Sequence, residues 1–310
     1  MRVENQQKKR KRKWIKNLGI VLVIILLLGG VYAIYLYKQL ELTVETIHSD
    51  LNREKSDKRI NSMNLGKGDP FSLLIMGVDA RPGDKGRSDT MIVLTVNPKK
   101  KSTKMVSIPR DTRTLIVGRG NEDKINHAYA FGGTEMAVST VENFLNIPID
   151  YYVTMNMEGF KDIVDAVGGI TVDSPISFTE EGISFQEGKN HLNGEKALVY
   201  VRMRKQDPRG DYGRQLRQRQ VIQGVIQKGA NPLILTKTES ILAAIGTNAK
   251  TDLSFNEMKT IQKNYISARH NMEQIQIEGK GTNINGIYYL IVPSENRNAV
   301  SSDLKQHLEL

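Results

Sequence analysis

Residues 71–97 read FSLLIMGVDARPGDKGRSDTMIVLTVN. Two short apolar runs, FSLLIMGV and MIVLTV, enclose a polar stretch with three acids and two arginines. An uninterrupted apolar run of this length that ends in a polar loop suits a strand covered on both faces. TKMVSIP (103–109) reads as a third strand, with NPKKKST (97–103) as the turn before it. Helical and strand patterns then alternate. TEMAVSTVENFLN (134–146) has helical spacing, YYVTMN (151–156) is a strand, and MEGFKDIVDAVGG (157–169) is a helix stopped by Gly168 and Gly169. ITVDS (170–174) is a strand and YGRQLRQRQVIQGVIQKG (212–229) a helix. Helices around Ile241 and Met258, strands EQIQIEG (273–279) and IYYLIVP (287–293), and a helix opening at Ser294 complete the series. This alternation predicts an α/β layered domain around a mostly central sheet, one domain over residues 66–310.

Outward from that domain, GKGDP (66–70) marks a boundary, and the polar stretch 38–65 reads as a stalk, helical at first. Before it, Asn17–Tyr37 contains no charged residue. Its length at about 1.5 Å per residue reaches roughly 31 Å, enough for the core of a bilayer. Trp14 on one side and Tyr32, Tyr35 and Tyr37 on the other suit the headgroup zones. Residues 1–16 hold eight Lys and Arg against Glu4 alone, so they carry +7 of the chain's net +10. The basic excess is therefore an end effect, which argues against a nucleic-acid partner. A basic tail before the span predicts an N-terminus in the cytoplasm and a body outside. The run is too long for a cleavable signal and is followed by KQLELTVE without a small-residue cleavage site, so a retained anchor is expected. With no cysteine, thiolate metal sites and cysteine nucleophiles are excluded, and the five dispersed histidines lack zinc-site spacing.

Three segments deliver charge at strand ends: LLIMGVDARPG brings Asp79 and Arg81, GRSDTMIVL brings Arg87 and Asp89, and MVSIPRDTR brings Arg110, Asp111 and Arg113. Single charges at strand ends are often merely solvated, but the crevice beyond strand ends is also where α/β sheets bind ligands. Residues 201–220, VRMRKQDPRGDYGRQLRQRQ, hold six arginines. Read as an extended run, ALVYVRMRK would point Arg202 and Arg204 the same way. On the helix that follows, with Asp211 as its expected N-cap, Arg214, Arg217 and Gln218 share a face by spacing, opposite the apolar Val221, Ile222, Val225 and Ile226. Cations in a first helical turn oppose the macrodipole, so a compensating anion is expected. Guanidinium forks match phosphate oxygens, and two aspartates can hold Mg²⁺ together with waters and a ligand phosphate. No G-x-S-x-G nucleophile elbow or nucleotide-binding glycine loop is present. The residues alone imply an exported, membrane-tethered domain for a phosphorylated, pyrophosphate-linked ligand.

LLIMGVDAR, GRSDTMIV, VSIPRDT, KINHAYAFGG, VGGITVD, LNGEKALVYVRMRK, DYGRQLRQRQ and GIYYLIVPSE follow one another in this order. In this the chain resembles the LytR–CpsA–Psr family of Gram-positive cell-wall assembly, and most of all the wall teichoic acid transferases of bacilli. The resemblance implies an α/β/α sandwich around a central mixed sheet, with an apolar tunnel, preceded by one transmembrane helix. It implies a Mg²⁺-dependent phosphotransferase at the cell membrane. That enzyme would move an anionic glycopolymer from a polyprenyl-pyrophosphate carrier to the C6 hydroxyl of N-acetylmuramic acid in peptidoglycan. By motif match Asp79 and Asp89 would place the metal and, with Arg87, form the catalytic set. Arg110, Arg202, Arg204, Arg214 and Gln218 would hold the pyrophosphate, joined by Arg81, Lys124 and Arg217. Phe144, Phe160 and Ile163 are tunnel candidates for which plain core packing is an equal reading. A non-catalytic module that grips the lipid-linked polymer, or a phosphohydrolase with water as acceptor, would use the same residues.

Overall fold

A computed structural model describes residues 30, 32, 34–51, 53–79, 86–229, 246 and 248–310. The strands are β1 (Phe71–Asp79), β2 (Arg87–Asn97), β3 (Ser102–Ser107), β4 (Arg113–Leu115), β5 (Glu122–Lys124), β6 (Tyr151–Met155), β7 (Ile170–Ser174), β8 (Phe178–Glu180), β9 (Ile183–Phe185), β10 (Gly188–Leu192), β11 (Ala249–Thr251), β12 (Asn271–Gln276), β13 (Lys280–Ile284) and β14 (Ile287–Ile291). The helices are α1 (residues 34–47), α2 (His127–Leu145), α3 (Met157–Ala166), α4 (Gly194–Arg202), α5 (Asp211–Gly229), α6 (Phe255–Asn264) and α7 (Ser294–Leu308).

Six strands form the central sheet in the order β11-β6-β1-β2-β3-β12. It is mixed: β1 runs antiparallel to β2 and parallel to β6, and β3 runs antiparallel to β2 and parallel to β12. The two-residue period of a strand sorts β1 into two faces. Leu74, Met76 and Val78 enter one core with Val138, Val141 and Leu145 of α2 and Leu304 and Leu308 of α7. Leu73 and Ile75 face the other side, where Ile222 and Ile226 of α5 pack with Ile92, Leu94 and Met105. Helices thus cover both faces, which is why the strands read as continuous apolar runs.

A β-bulge breaks the β1–β2 register. Gly77 lies opposite Thr90 and Val78 opposite Ser88, so Asp89 is the extra residue, while Asp79 lies opposite Arg87. A bulge re-aims the side chains beside it, and here Gly77, Asp79, Asp89 and Thr90 all line one cavity.

Four expectations change. ALVYVRMRK is the end of a helix, not an extended run: α4 spans Gly194–Arg202, with the Asn193 side chain accepting the Lys196 N–H at its start. A short apolar run is ambiguous by periodicity, and the Asn193 cap decides it. Asp211 lies inside the first turn of α5 rather than capping it. The stretch 38–65 does not stand apart from the body from Val44 onward. Val44, Ile47 and Leu51 are buried, Arg53 pairs with Glu142 at 2.7 Å, and Arg59 pairs with Asp150 at 2.6 Å. Those two acids are nearly inaccessible, and such carboxylates demand partners. The helix expected from Thr134 belongs to a longer helical span, α2, that is interrupted where Gly132 and Gly133 leave helical geometry, Gly133 at φ 66°.

Among the described residues no helix is long and apolar enough to cross a membrane. The basic tail 1–16, most of the span expected at Asn17–Tyr37, Arg81 and the helix expected around Ile241 lie outside them.

Candidate active site

Between the sheet and α3, α4 and α5 lies a cavity of about 520 Å³. One end is charged and the other apolar. Asp79, Asp89, Arg202, Arg214 and Gln218 line the charged mouth, and Phe160, Ile163, Val221, Ile222, Val225 and Ile226 line the interior. A single face of α5 makes most of this gradient, because Arg214, Gln218, Ile222 and Ile226 recur every four residues. From Arg214 to Ile226 the helix rises about 18 Å. Phe160 and Ile163 of the tunnel candidates are on the wall, whereas Phe144 is in the opposite core.

At the mouth, Arg110 Nη1 lies 3.1 Å from Asp89 Oδ2, and Asn126 Nδ2 donates to Asp89 Oδ1 at 3.0 Å. Arg110 Nε lies 3.6 Å from Asp111, whose other oxygen accepts Lys124 Nζ at 2.7 Å. Lys124 is thus one residue removed from the mouth. Burial acts against the Arg110 charge, but Asp89, Asp111 and Asp211 outweigh it and raise its pKa. Arg214 is in the reverse position. Burial, then the neighbouring Arg110 and Arg204, pull its pKa down against the opposing pull of Asp211 and Asp89. Arg214 Nη2 reaches Asp211 Oδ1 at 2.6 Å, yet its buried Nε has no hydrogen-bond partner among the described residues. A crowded guanidinium with an unused donor has the chemistry to accept a ligand anion. Gln218 Nε2 donates to Thr90 Oγ1 at 2.9 Å, exposed Arg202 lines the same cavity, and exposed Arg204 is near enough for its charge to bear on Arg214. Arg87 is exposed and opposite Asp79 in the sheet.

Arg217 is not at this mouth. It is fully buried, its Nη1 paired with Asp207, its Nε donating to Tyr200 O at 3.1 Å and its Nη2 to Met203 O. Its guanidinium lies 5.5 Å from the Phe178 ring centroid. On a helix, residues 217 and 218 diverge by about 100°, so only Gln218 stays with Arg214. Arg209 also grips Asp207, and buried Arg219 ties α5 to the sheet through Ser107 and Gln274. The six-arginine stretch therefore splits: Arg202 and Arg214 line the mouth and Arg204 is exposed near Arg214, while Arg209, Arg217 and Arg219 bond within the fold. Asn126, within KINHAYAFGG, is at the site with no chemical signal in the sequence beyond its amide.

Asp79 and Asp89 both line the mouth, and two carboxylates are a donor set that can hold Mg²⁺. That ion keeps waters and ligand phosphates in its shell rather than an all-protein cage.

The sequence profile of the LytR_cpsA_psr family matches residues 34–306. The polyisoprenyl-teichoic acid–peptidoglycan teichoic acid transferase TagU of Bacillus subtilis (strain 168) is 50% identical over 307 residues, covering 99% of this chain and 100% of the relative. The crystal structure of B. subtilis TagU, 51% identical, superposes with a TM-score of 0.64 over 78% of this chain and 98% of that one. TagT, solved bound to LI-WTA, is 34% identical, with a TM-score of 0.73 over 85% of this chain and 100% of that one. On sequence and on fold alike, the chain belongs to the LytR_cpsA_psr family.

Proposed function

We propose that this protein transfers an anionic glycopolymer, a wall teichoic acid, from a polyprenyl-pyrophosphate carrier to the C6 hydroxyl of N-acetylmuramic acid in peptidoglycan. The observation that carries this reading is the cavity that passes from guanidinium to hydrocarbon along one helix face. Its natural ligand is an amphiphile with a multiply charged head and a long apolar tail. The tail would lie against Ile222, Val225 and Ile226, and the diphosphate would meet Arg214, Arg202, Arg204, Arg110 and Gln218. The relatives named as teichoic acid transferases support the choice of polymer and acceptor.

In the reaction the sugar hydroxyl attacks the phosphorus that bears the polymer. A new P–O bond forms, the P–O–P bridge breaks, and polyprenyl phosphate leaves. Positioning and charge neutralisation supply most of the catalysis in such transfers. Arg110 and Arg214 hold the phosphate oxygens. Asp89, fixed by Arg110 and Asn126, and Asp79 would hold Mg²⁺, which neutralises charge on the diphosphate when bound. One of the two aspartates takes the hydroxyl proton. The +7 tail and the uncharged run Asn17–Tyr37 support a single-pass anchor in the cell membrane with this domain outside.

The test incubates the full chain in detergent with lipid-linked polymer, a peptidoglycan oligomer and Mg²⁺. Mass analysis should find the linked product with wild type, and at least 10²-fold less with Asp79→Asn or Asp89→Asn. Transfer at the wild-type rate by both variants would replace the enzyme with a binding module.

A further inference from the structure

A row of side chains outside the cavity has no part in the donor site. The imidazole of His127, at the start of α2, meets Asp123 through Nδ1 at 2.9 Å. Asp123 is held in turn by the Lys124 N–H at 2.7 Å and the Tyr289 hydroxyl at 3.4 Å. In the neutral ring this fixes the proton on Nδ1 and leaves Nε2 to accept from a ligand. One turn on, Phe131 meets His127 edge to face and is 37% exposed, unusual for a phenyl ring. Arg119 lies over that ring, 3.8 Å from its centroid, and is exposed.

The row's place follows from the chemistry. Attacking and leaving oxygens stand roughly in line across the transferred phosphorus. The leaving polyprenyl phosphate occupies the cavity on the α5 face of the sheet, so the acceptor must come from elsewhere. α2 packs on the opposite face. Asn126, which holds Asp89 at the mouth, directly precedes His127. None of Arg119, Asp123, His127 and Phe131 lines the cavity.

We infer that Arg119, His127 and Phe131 form the subsite for the acceptor, an N-acetylated glycan strand that carries carboxylates on its peptide stems. Phe131 covers the apolar face of a sugar ring or an acetyl methyl, His127 Nε2 accepts from a sugar hydroxyl, and Arg119 receives a stem carboxylate. This assignment rests on the transferase reading above for its acceptor, but its test does not need turnover.

Soluble, uncross-linked peptidoglycan glycan strands are titrated into the full chain in detergent, without donor, by calorimetry. Wild type should bind, and Arg119→Gln and Phe131→Ala should each bind roughly tenfold or more weakly, with Phe131→Tyr near wild type. Both altered residues are exposed, so the variants should keep the wild-type melting temperature. De-N-acetylated strands and strands stripped of their peptide stems should also bind more weakly. In the transfer assay the same variants should raise the acceptor concentration for half-maximal rate and leave that for the donor unchanged. Absent binding by wild type, or equal binding by all variants, overturns the subsite. If strands bind as described yet no linked product forms, the subsite stands and the transferase reading fails.

Discussion

Replacing Arg217 separates a pillar of the fold from a ligand of the phosphate. Arg217→Met keeps the stem and removes three donated hydrogen bonds, to Asp207, Tyr200 O and Met203 O. Breaking one side of a buried ion pair typically costs about 3–5 kcal/mol. Arg209 still holds Asp207 through two bonds of 2.9 Å, which places this case at the lower end, about 3 kcal/mol. For a domain of this size that lowers Tm by about 6 °C. Gly213→Ala should act on the same pair, because a Cβ there would stand 2.0 Å from Asp207 Oδ2. Arg214→Gln is the contrast. It removes a guanidinium that burial and Arg110 and Arg204 already disfavour, so Tm should hardly fall, while donor affinity drops about 10- to 150-fold. Thermal melts, paired with titration of a lipid-pyrophosphate analogue well below Tm, read both effects. An Arg217→Met protein with wild-type Tm and weakened donor binding would refute the reasoning.

Other outcomes follow from the same contacts. Arg202→Ala and Arg204→Ala should each weaken donor binding about tenfold or more in the same titration. Val225→Trp should fill the apolar end, so that a long-chain donor loses affinity while a short-chain analogue keeps it. Chelation should abolish transfer and Mg²⁺ restore it, with excess Mg²⁺ rescuing whichever of Asp79→Asn and Asp89→Asn lost only a metal ligand. His307 is buried against Thr95 and Ser102, and burial, reinforced by Lys100 and Lys104, lowers its pKa to about 4. The folded state therefore binds fewer protons than the unfolded one between roughly pH 6.5 and 4. Stability should fall by on the order of 3 kcal/mol as pH drops through that window, and His307→Gln should flatten the slope in chemical denaturation. External protease on intact protoplasts should digest the body, whereas protection would contradict the proposed topology.

Strands β1, β2, β3 and β6 and helices α3 and α5 are legible in the sequence because each is covered in a way that leaves one period or one unbroken run. Asp79, Asp89 and Arg110 are legible as charge at the ends of such runs, and Arg214 and Gln218 as one face of a helix; the fold gathers them at one mouth. The helix α4 is not, since Ala197 to Val201 are all buried and a fully buried segment shows no period. Nor is the fate of Arg217: spacing puts it near Arg214, and only the arrival of Asp207 and the Tyr200 and Met203 carbonyls draws it into the core. The β1–β2 bulge, which aims Asp89 at the cavity, depends on a pairing register that one strand cannot reveal. The pairing of Arg53 and Arg59 with Glu142 and Asp150 spans about ninety residues, so those two look like ordinary solvated charges in a polar stretch.

Carrying out the reaction in ¹⁸O-labelled water asks directly where the polymer's phosphate goes. Transfer to a glycan hydroxyl takes its new oxygen from the sugar. The linked product should therefore appear at its unlabelled mass, and the released polyprenyl phosphate should also carry no label. Polymer ending in a free phosphate that contains one ¹⁸O, with no linked product at saturating acceptor, would mean that water is the acceptor and would contradict the account.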